Sequence, residues 1–143
     1  MTVAHILEKK GHRVYMIRED ATLGDAIREL ARHHIGVLVV TDASGELTGI
    51  VSERDVVRDL AGSDFDVGRP VSSVMTRRVS KCSLDDSESD ILERMGKLGV
   101  RHLPVEYAGK IVGVVSARNL LNLRIEKLNE LMQEIEAEAA RRL

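Results

Sequence analysis

Gly45-Glu-Leu-Thr-Gly-Ile-Val-Ser-Glu-Arg-Asp-Val-Val57 lies over Gly109-Lys-Ile-Val-Gly-Val-Val-Ser-Ala-Arg-Asn-Leu-Leu121 at an offset of 64, with five of the thirteen positions identical. Most of the others exchange like for like: Leu47 with Ile111, Ile50 with Val114, Asp55 with Asn119 and Val56 with Leu120. Upstream the match continues at an offset of 65, where Ile35-Gly-Val-Leu-Val-Val40 meets Val100-Arg-His-Leu-Pro-Val105. The slip falls in the turns Thr41 to Ser44 and Glu106 to Ala108. A match of this length marks an internal duplication, so the chain is read as two copies of one unit.

Each copy reads as strand, helix, strand, strand, helix, an α/β (α+β) unit. Val14 to Ile17 carries strand-like residues, and Leu23, Ala26, Ile27, Leu30 and Ala31 then recur at helical spacing. Thr22-Leu-Gly-Asp25 is an N-terminal capping pattern, repeated by Ser87-Glu-Ser-Asp90 in the second copy. The apolar run Val37 to Val40, a turn rich in Asp42, Ser44 and Gly45, and Leu47 to Val51 predict a hairpin, with a helix from Ser52. The second copy is expected at Arg78 to Ser83, Ile91 to Leu98, His102 to Glu106, Lys110 to Val115 and a helix from Ala117. The expected division is repeat one at 1–61, a linker at 62–70, repeat two at 71–123 and a helical extension at 124–143.

At 143 residues and 43% apolar, the chain suffices for one core shared by two small halves. A formal net charge of −2 gives no broad positive field for a phosphate backbone, so nucleic acid is not expected. The lone Cys82 makes no internal disulfide and no multi-cysteine metal set, which suits a reducing cytoplasm. Met1 to Lys10 lacks a signal-peptide core, and the apolar run Ile35 to Val40 is too short to span a bilayer; a soluble, unprocessed chain is expected. The five histidines include no i, i+4 pair, and no metal site is expected. No nucleophile elbow, Walker loop or dinucleotide fingerprint is present, so the chain is not expected to be an enzyme.

Chemistry concentrates in Gly49-Ile-Val-Ser-Glu-Arg-Asp55 and Gly113-Val-Val-Ser-Ala-Arg-Asn119, where a strand opens into a helix. A helix N-terminus presents unpaired N–H groups and partial positive charge, which favours an anion such as phosphate. Arg54 and Arg118 offer bidentate partners for it. Asp55 or Asn119 could accept hydrogen bonds from ribose hydroxyls. The same residues also satisfy a second reading, in which Ser52 and Asp55 form a capping box with no ligand and the arginines are merely solvated. The residues alone leave both open.

These segments, with Val74-Met-Thr76, resemble the CBS domain, which occurs in tandem as a Bateman module; the resemblance runs from Val3 to about Leu60 and from Val71 to about Leu123. It implies two repeats packed through their sheets with pseudo-two-fold symmetry. It also implies two clefts for an adenosine-containing ligand such as AMP, ADP, ATP, NAD or S-adenosylmethionine. By the same resemblance Ser52, Asp55, Ser116 and Asn119 hold ribose and phosphate, and Thr22 and Ser87 are the hydroxyls that begin the first helix near the ligand. Val37 and Leu103 lie on the strand facing adenine, while Arg101 and His102 lie near the phosphates. Asn119 departs from the commoner aspartate, so the second cleft is expected to differ in ligand or strength. No cofactor is implied beyond the regulatory nucleotide. CBS pairs also occur inside enzymes such as inosine monophosphate dehydrogenase, but 143 residues leave no room for a barrel.

Leu121, Ile125, Leu128, Met132, Ile135 and Ala139 advance by four, three, four, three and four, a heptad stripe in a segment free of Gly and Pro. Part of this helix is expected to project and meet a partner helix, the alternative being that it folds back. The resemblance implies flat dimers with their clefts facing the interior, so a homodimer to which these helices contribute is expected, with a partner protein that reads the ligand state. Three functions follow: an adenine-nucleotide or dinucleotide sensor, an interaction module with vacant clefts, and a thiol or metal sensor using Cys82 beside Lys81.

Overall fold

The computed structural model of the chain describes residues 1–62 and 64–143. Two three-stranded sheets repeat one topology. In the first, β1 (Met16–Arg18) runs parallel to β2 (Val37–Thr41), which pairs antiparallel with β3 (Leu47–Ser52). In the second, β4 (Cys82–Ser83), β5 (His102–Tyr107) and β6 (Lys110–Ser116) take the same order. Each sheet carries two helices: α2 (Leu23–His33) and α3 (Glu53–Leu60) in repeat one, α4 (Glu88–Leu98) and α5 (Ala117–Arg141) in repeat two. The strand–helix–strand–strand–helix order is therefore present twice. Its first strands are shorter than the sequence suggests, since β4 pairs only Cys82 with Val105 and Ser83 with Glu106.

One helix has no counterpart in the sequence reading. Helix α1 (Val3–Lys10) is capped by Thr2 and His5 and buries Val3, Ile6 and Leu7. These three join Cys82, Ile91, Leu103, Val115 and Leu120 in the core of repeat two, not of repeat one. The first N–H groups of α1, which no helix satisfies internally, donate instead to the loop ahead of α4: Val3 to Asp86 O at 2.9 Å and Ala4 to Leu84 O at 3.0 Å.

Repeat one is completed in the mirror-image way. Val71 and Met75, from the turn that follows the connecting segment, enter its core beside Leu38, Val40 and Val51. Leu23 N donates to Arg69 O and Gly24 N to Val67 O, each at 2.8 Å, and Arg69 Nη1 pairs with Asp59 at the same distance. The bridges Thr2–Ser87 and Thr22–Pro70 are the two halves of this exchange. Each repeat is thus closed by the segment that precedes the other.

Two glycines make room for these insertions. A Cβ on Gly49 would lie 2.7 Å from Thr76 O and 2.9 Å from Met75 Sδ, and one on Gly113 would lie 2.7 Å from a Leu7 methyl. Leu7→Ala should cost about 2–5 kcal/mol in denaturant unfolding, the range for truncating a core leucine. Gly113→Ala should cost about 1–3 kcal/mol alone and distinctly less in the Leu7→Ala background. Strict additivity of the two changes would contradict this packing.

Candidate functional site

The capping pattern at the end of β3 forms in full. Asp55 N donates to Ser52 Oγ at 3.2 Å, and Ser52 N donates to an Asp55 carboxylate oxygen at 2.9 Å. The other carboxylate oxygen accepts a longer bond, 3.3 Å, from Thr76 Oγ1. Asp55 is one of few buried charged residues, so its carboxylate is held in one orientation at the floor of a depression. The capping role is therefore real, and it leaves one oxygen with only a long hydroxyl partner.

That depression is a cleft of about 290 Å³ between the two repeats, at the lower end of the roughly 300–1,000 Å³ typical of small-molecule sites. It collects Val37, Ser52, Arg54, Asp55, Arg101 and His102 from the residues singled out in the sequence. Thr22, Ser87, Leu103, Ser116, Arg118 and Asn119 do not line it. Thr22 and Ser87 accept from Asp25 N and Asp90 N as helix caps. The Leu103 side chain is wholly buried in the second core. Ser116 and Asn119 form the matching capping box at the start of α5, with both bonds at 3.1 Å.

Sequence reasoning missed Gly36, Arg58, Thr76 and Arg78, which also line the cleft. Thr76 is brought in by a two-way backbone bridge with Ile50, at 2.8 and 3.0 Å. The Val74-Met-Thr76 segment was visible as part of the repeat pattern, but its place opposite Asp55 depends on the exchange of core segments. Four arginines, Arg54, Arg58, Arg78 and Arg101, face the cleft against Glu53 and Asp55. This is a local positive field in a chain of net charge −2, suited to an anionic group. Arg54 Nη1 also reaches Gly99 O at 3.4 Å across the repeat boundary.

His102 stands at the boundary. It pairs with Ser116 as Val37 pairs with Ser52, so it is the repeat-two counterpart of Val37. A Cβ on Gly36 would lie 3.1 Å from its ring, and only glycine admits this contact without displacement. Burial holds the imidazole below its ordinary value, with the charges of Lys10 and Arg101 adding to the effect. Lys10 Nζ donates to Val114 O, the counterpart of the Ile50 carbonyl that Thr76 engages in repeat one. Burial lowers the Lys10 pKa too.

The thiol reading fails. Cys82 is buried in the second core, and desolvation, with Asp86 adding to it, pushes its thiol up to about 11. Lys81 does not activate it, because its ammonium is paired with Glu106 at 2.7 Å. Among the described residues no helix is long and apolar enough to cross a membrane.

A sequence model of the CBS domain matches residues 3–62 and 71–126. An uncharacterized 17.7 kDa protein of Acidianus ambivalens is 38% identical over 109 residues, 76% of this chain and 65% of that protein; the chain thus spans under two thirds of that curated relative. A CBS-domain containing protein from Agrobacterium tumefaciens superposes with a TM-score of 0.83 at 35% identity, covering 86% of this chain and 92% of the other. A CBS domain protein from Pyrobaculum aerophilum, solved in complex with AMP, gives a TM-score of 0.75 at 25% identity, covering 83% and 89%.

His102 carries a testable pH dependence. Its folded-state pKa lies below the ordinary 6.5, so between the two values the unfolded chain binds more protons. Its contribution to stability is complete above about pH 6.5 and is lost as pH falls through the folded-state pKa. Denaturant midpoints measured through this window should show that slope, and His102→Gln should flatten it. An imidazole titrating at or above 6.5 by NMR would contradict the burial.

Proposed function

The chain belongs to the CBS-domain family, and from that premise we propose that it is a non-catalytic regulatory module binding an adenosine-containing ligand between its repeats. The observation that carries this reading is the cleft in which four arginines surround a held Asp55 carboxylate. The arginines suit a phosphate, and the under-used Asp55 oxygen suits ribose hydroxyls. Val37 and Ile50 offer apolar contact for a base. The AMP held by the Pyrobaculum aerophilum relative supports placing AMP first among AMP, ADP, ATP, NAD and S-adenosylmethionine.

Such a ligand would touch Ser52, Arg54 and Asp55 from one repeat and Arg101 and His102 from the other. It would therefore favour whichever arrangement of the repeats presents both sets, and a partner protein reading their relative position would sense it. Ligand moves that equilibrium only through differential affinity for the two arrangements. The repeat-two counterpart, with Ser116, Arg118 and Asn119 at its centre and Thr22, Ser87 and Leu103 in the surrounding elements, is proposed as a second, weaker site. There an amide replaces the carboxylate and Lys10 already engages Val114 O. We propose a homodimer in the cytoplasm. A role in assembly accompanies ligand binding, and the observation favouring it is the exposure of the apolar stripe on α5.

AMP should raise the melting temperature in a concentration-dependent way, as any ligand of the native state does. Calorimetry should find Asp55→Asn weakening AMP by about tenfold or more, the scale of a lost charge-assisted hydrogen bond, with little loss of stability, because Asn119 makes the same reciprocal capping bonds with Ser116 at the start of α5. No binding of AMP, ADP, ATP, NAD, NADH or S-adenosylmethionine would overturn the reading. Binding that ignores Asp55→Asn would overturn the site.

A further inference from the structure

The strand registers set Val37 opposite Ser52 and His102 opposite Ser116, so the pseudo-two-fold exchanges Gly36-Val37 with Arg101-His102. All four residues line the same cleft. A β-branched residue suits such a strand position, and repeat one has it. Repeat two carries a titratable imidazole there instead.

The ring is placed to meet a ligand. Its Cε1–Nε2 edge lies against Gly36, where a Cβ would come within 3.1 Å of Cε1 and 3.2 Å of Nε2. The hydrogen bonds that hold this boundary pass it by: Ala117 N donates to Arg101 O, Ser116 N to Asn119 Oδ1, and Arg54 Nη1 to Gly99 O. A neutral imidazole offers one N–H donor and an imidazolium two. Protonation of His102 therefore adds both a charge and a donor where the cleft passes from one repeat to the other.

The charged groups around the ring come from several elements. Lys10, at the end of α1, and Arg101, its chain neighbour, add to burial in lowering the imidazole pKa. Across the cleft Arg54, Arg58 and Arg78 supply further positive charge. Acid comes from Glu53, whose Oε1 lies 3.9 Å from the same Gly36 Cβ position, and from Asp55, which caps α3. A phosphate carrying about two negative charges reverses this balance, because an opposite charge nearby favours the protonated form. We propose that His102 makes recognition of the ligand's phosphate proton-linked: the cleft takes up a proton at this imidazole when a phosphorylated ligand enters, and does not when neutral adenosine enters. The inference rests on the adenosine-ligand reading and adds the residue by which that site senses the phosphate.

Linkage fixes the sign. A cationic group whose pKa rises on binding adds affinity that is complete below its ligand-free pKa and vanishes above its bound pKa. The test follows the imidazole resonances of the full chain by NMR against pH, with His102→Gln identifying the signal of His102. Saturating AMP should move its midpoint up by about one pH unit or more, and saturating adenosine should leave it in place. Calorimetry in two buffers of different ionisation enthalpy should find more proton uptake on AMP binding by the wild type than by His102→Gln at about pH 6.5. The AMP phosphate itself titrates at about pH 6, contributes to both chains and cancels in the difference. Between about pH 8 and about pH 5.5 the ratio of wild-type to variant affinity for AMP should rise about fivefold. His102→Val, which brings in the residue of repeat one, gives the same comparison in a chain where glutamine disturbs the strand. A His102 midpoint indifferent to bound AMP, or raised equally by adenosine, overturns the inference and leaves the ligand site standing. No binding of AMP at any pH overturns the site reading and this inference with it.

Discussion

The exchange of core segments is the constraint from which the rest of the structure follows. Repeat one is not closed until Val71 and Met75 arrive from beyond the connecting segment, and repeat two is not closed until Val3, Ile6 and Leu7 arrive from the N-terminus. Burying a side chain of this kind contributes about 1.5–3 kcal/mol, so each insertion matters against a marginal total stability. Gly49 and Gly113 stand at equivalent places in β3 and β6, and each provides the gap through which the other segment enters. The halves are consequently interlocked.

The cleft is a by-product of that interlock. The turn that delivers Met75 also places Thr76 on Ile50 and beside Asp55, so the same backbone that closes the first core forms a wall of the site. Val37, Ser52 and Asp55 come from one hairpin and its following helix, and Arg101 and His102 come from the strand entry of the other repeat. Pseudo-symmetry then predicts a twin site, but the chemistry has diverged. Asp55 faces a neutral threonine, whereas Asn119 stands in a region where Lys10 has taken the corresponding carbonyl and where burial, with neighbouring positive charge, lowers the His102 pKa.

Most of the fold was legible because duplication reports itself: a capping pattern or a buried run seen twice at one offset is stronger than either alone. Ser52, Asp55, Ser116 and Asn119 were legible as helix starts, and the structure shows the four bonds that the pattern implies. Helix α1 was not legible, because its apolar residues are few and their partners lie some eighty to a hundred and twenty residues away. Arg58 and Arg78 were not legible either. An arginine on a short helix or in a loop carries no local mark of facing a cleft, and only the packing of the two repeats brings them together. The stripe on α5 was legible as an uncovered face, and the structure leaves it uncovered.

The central claim, that an adenosine-containing ligand occupies the cleft around Asp55 and bridges the two repeats, is tested most directly by a crystal structure of the chain grown with AMP. The account predicts the nucleotide between the repeats, with its phosphate within hydrogen-bond distance of at least one of Arg54, Arg58, Arg78 and Arg101 and its ribose on Asp55. AMP bound elsewhere on the molecule, or a cleft left empty at saturating AMP, would contradict it.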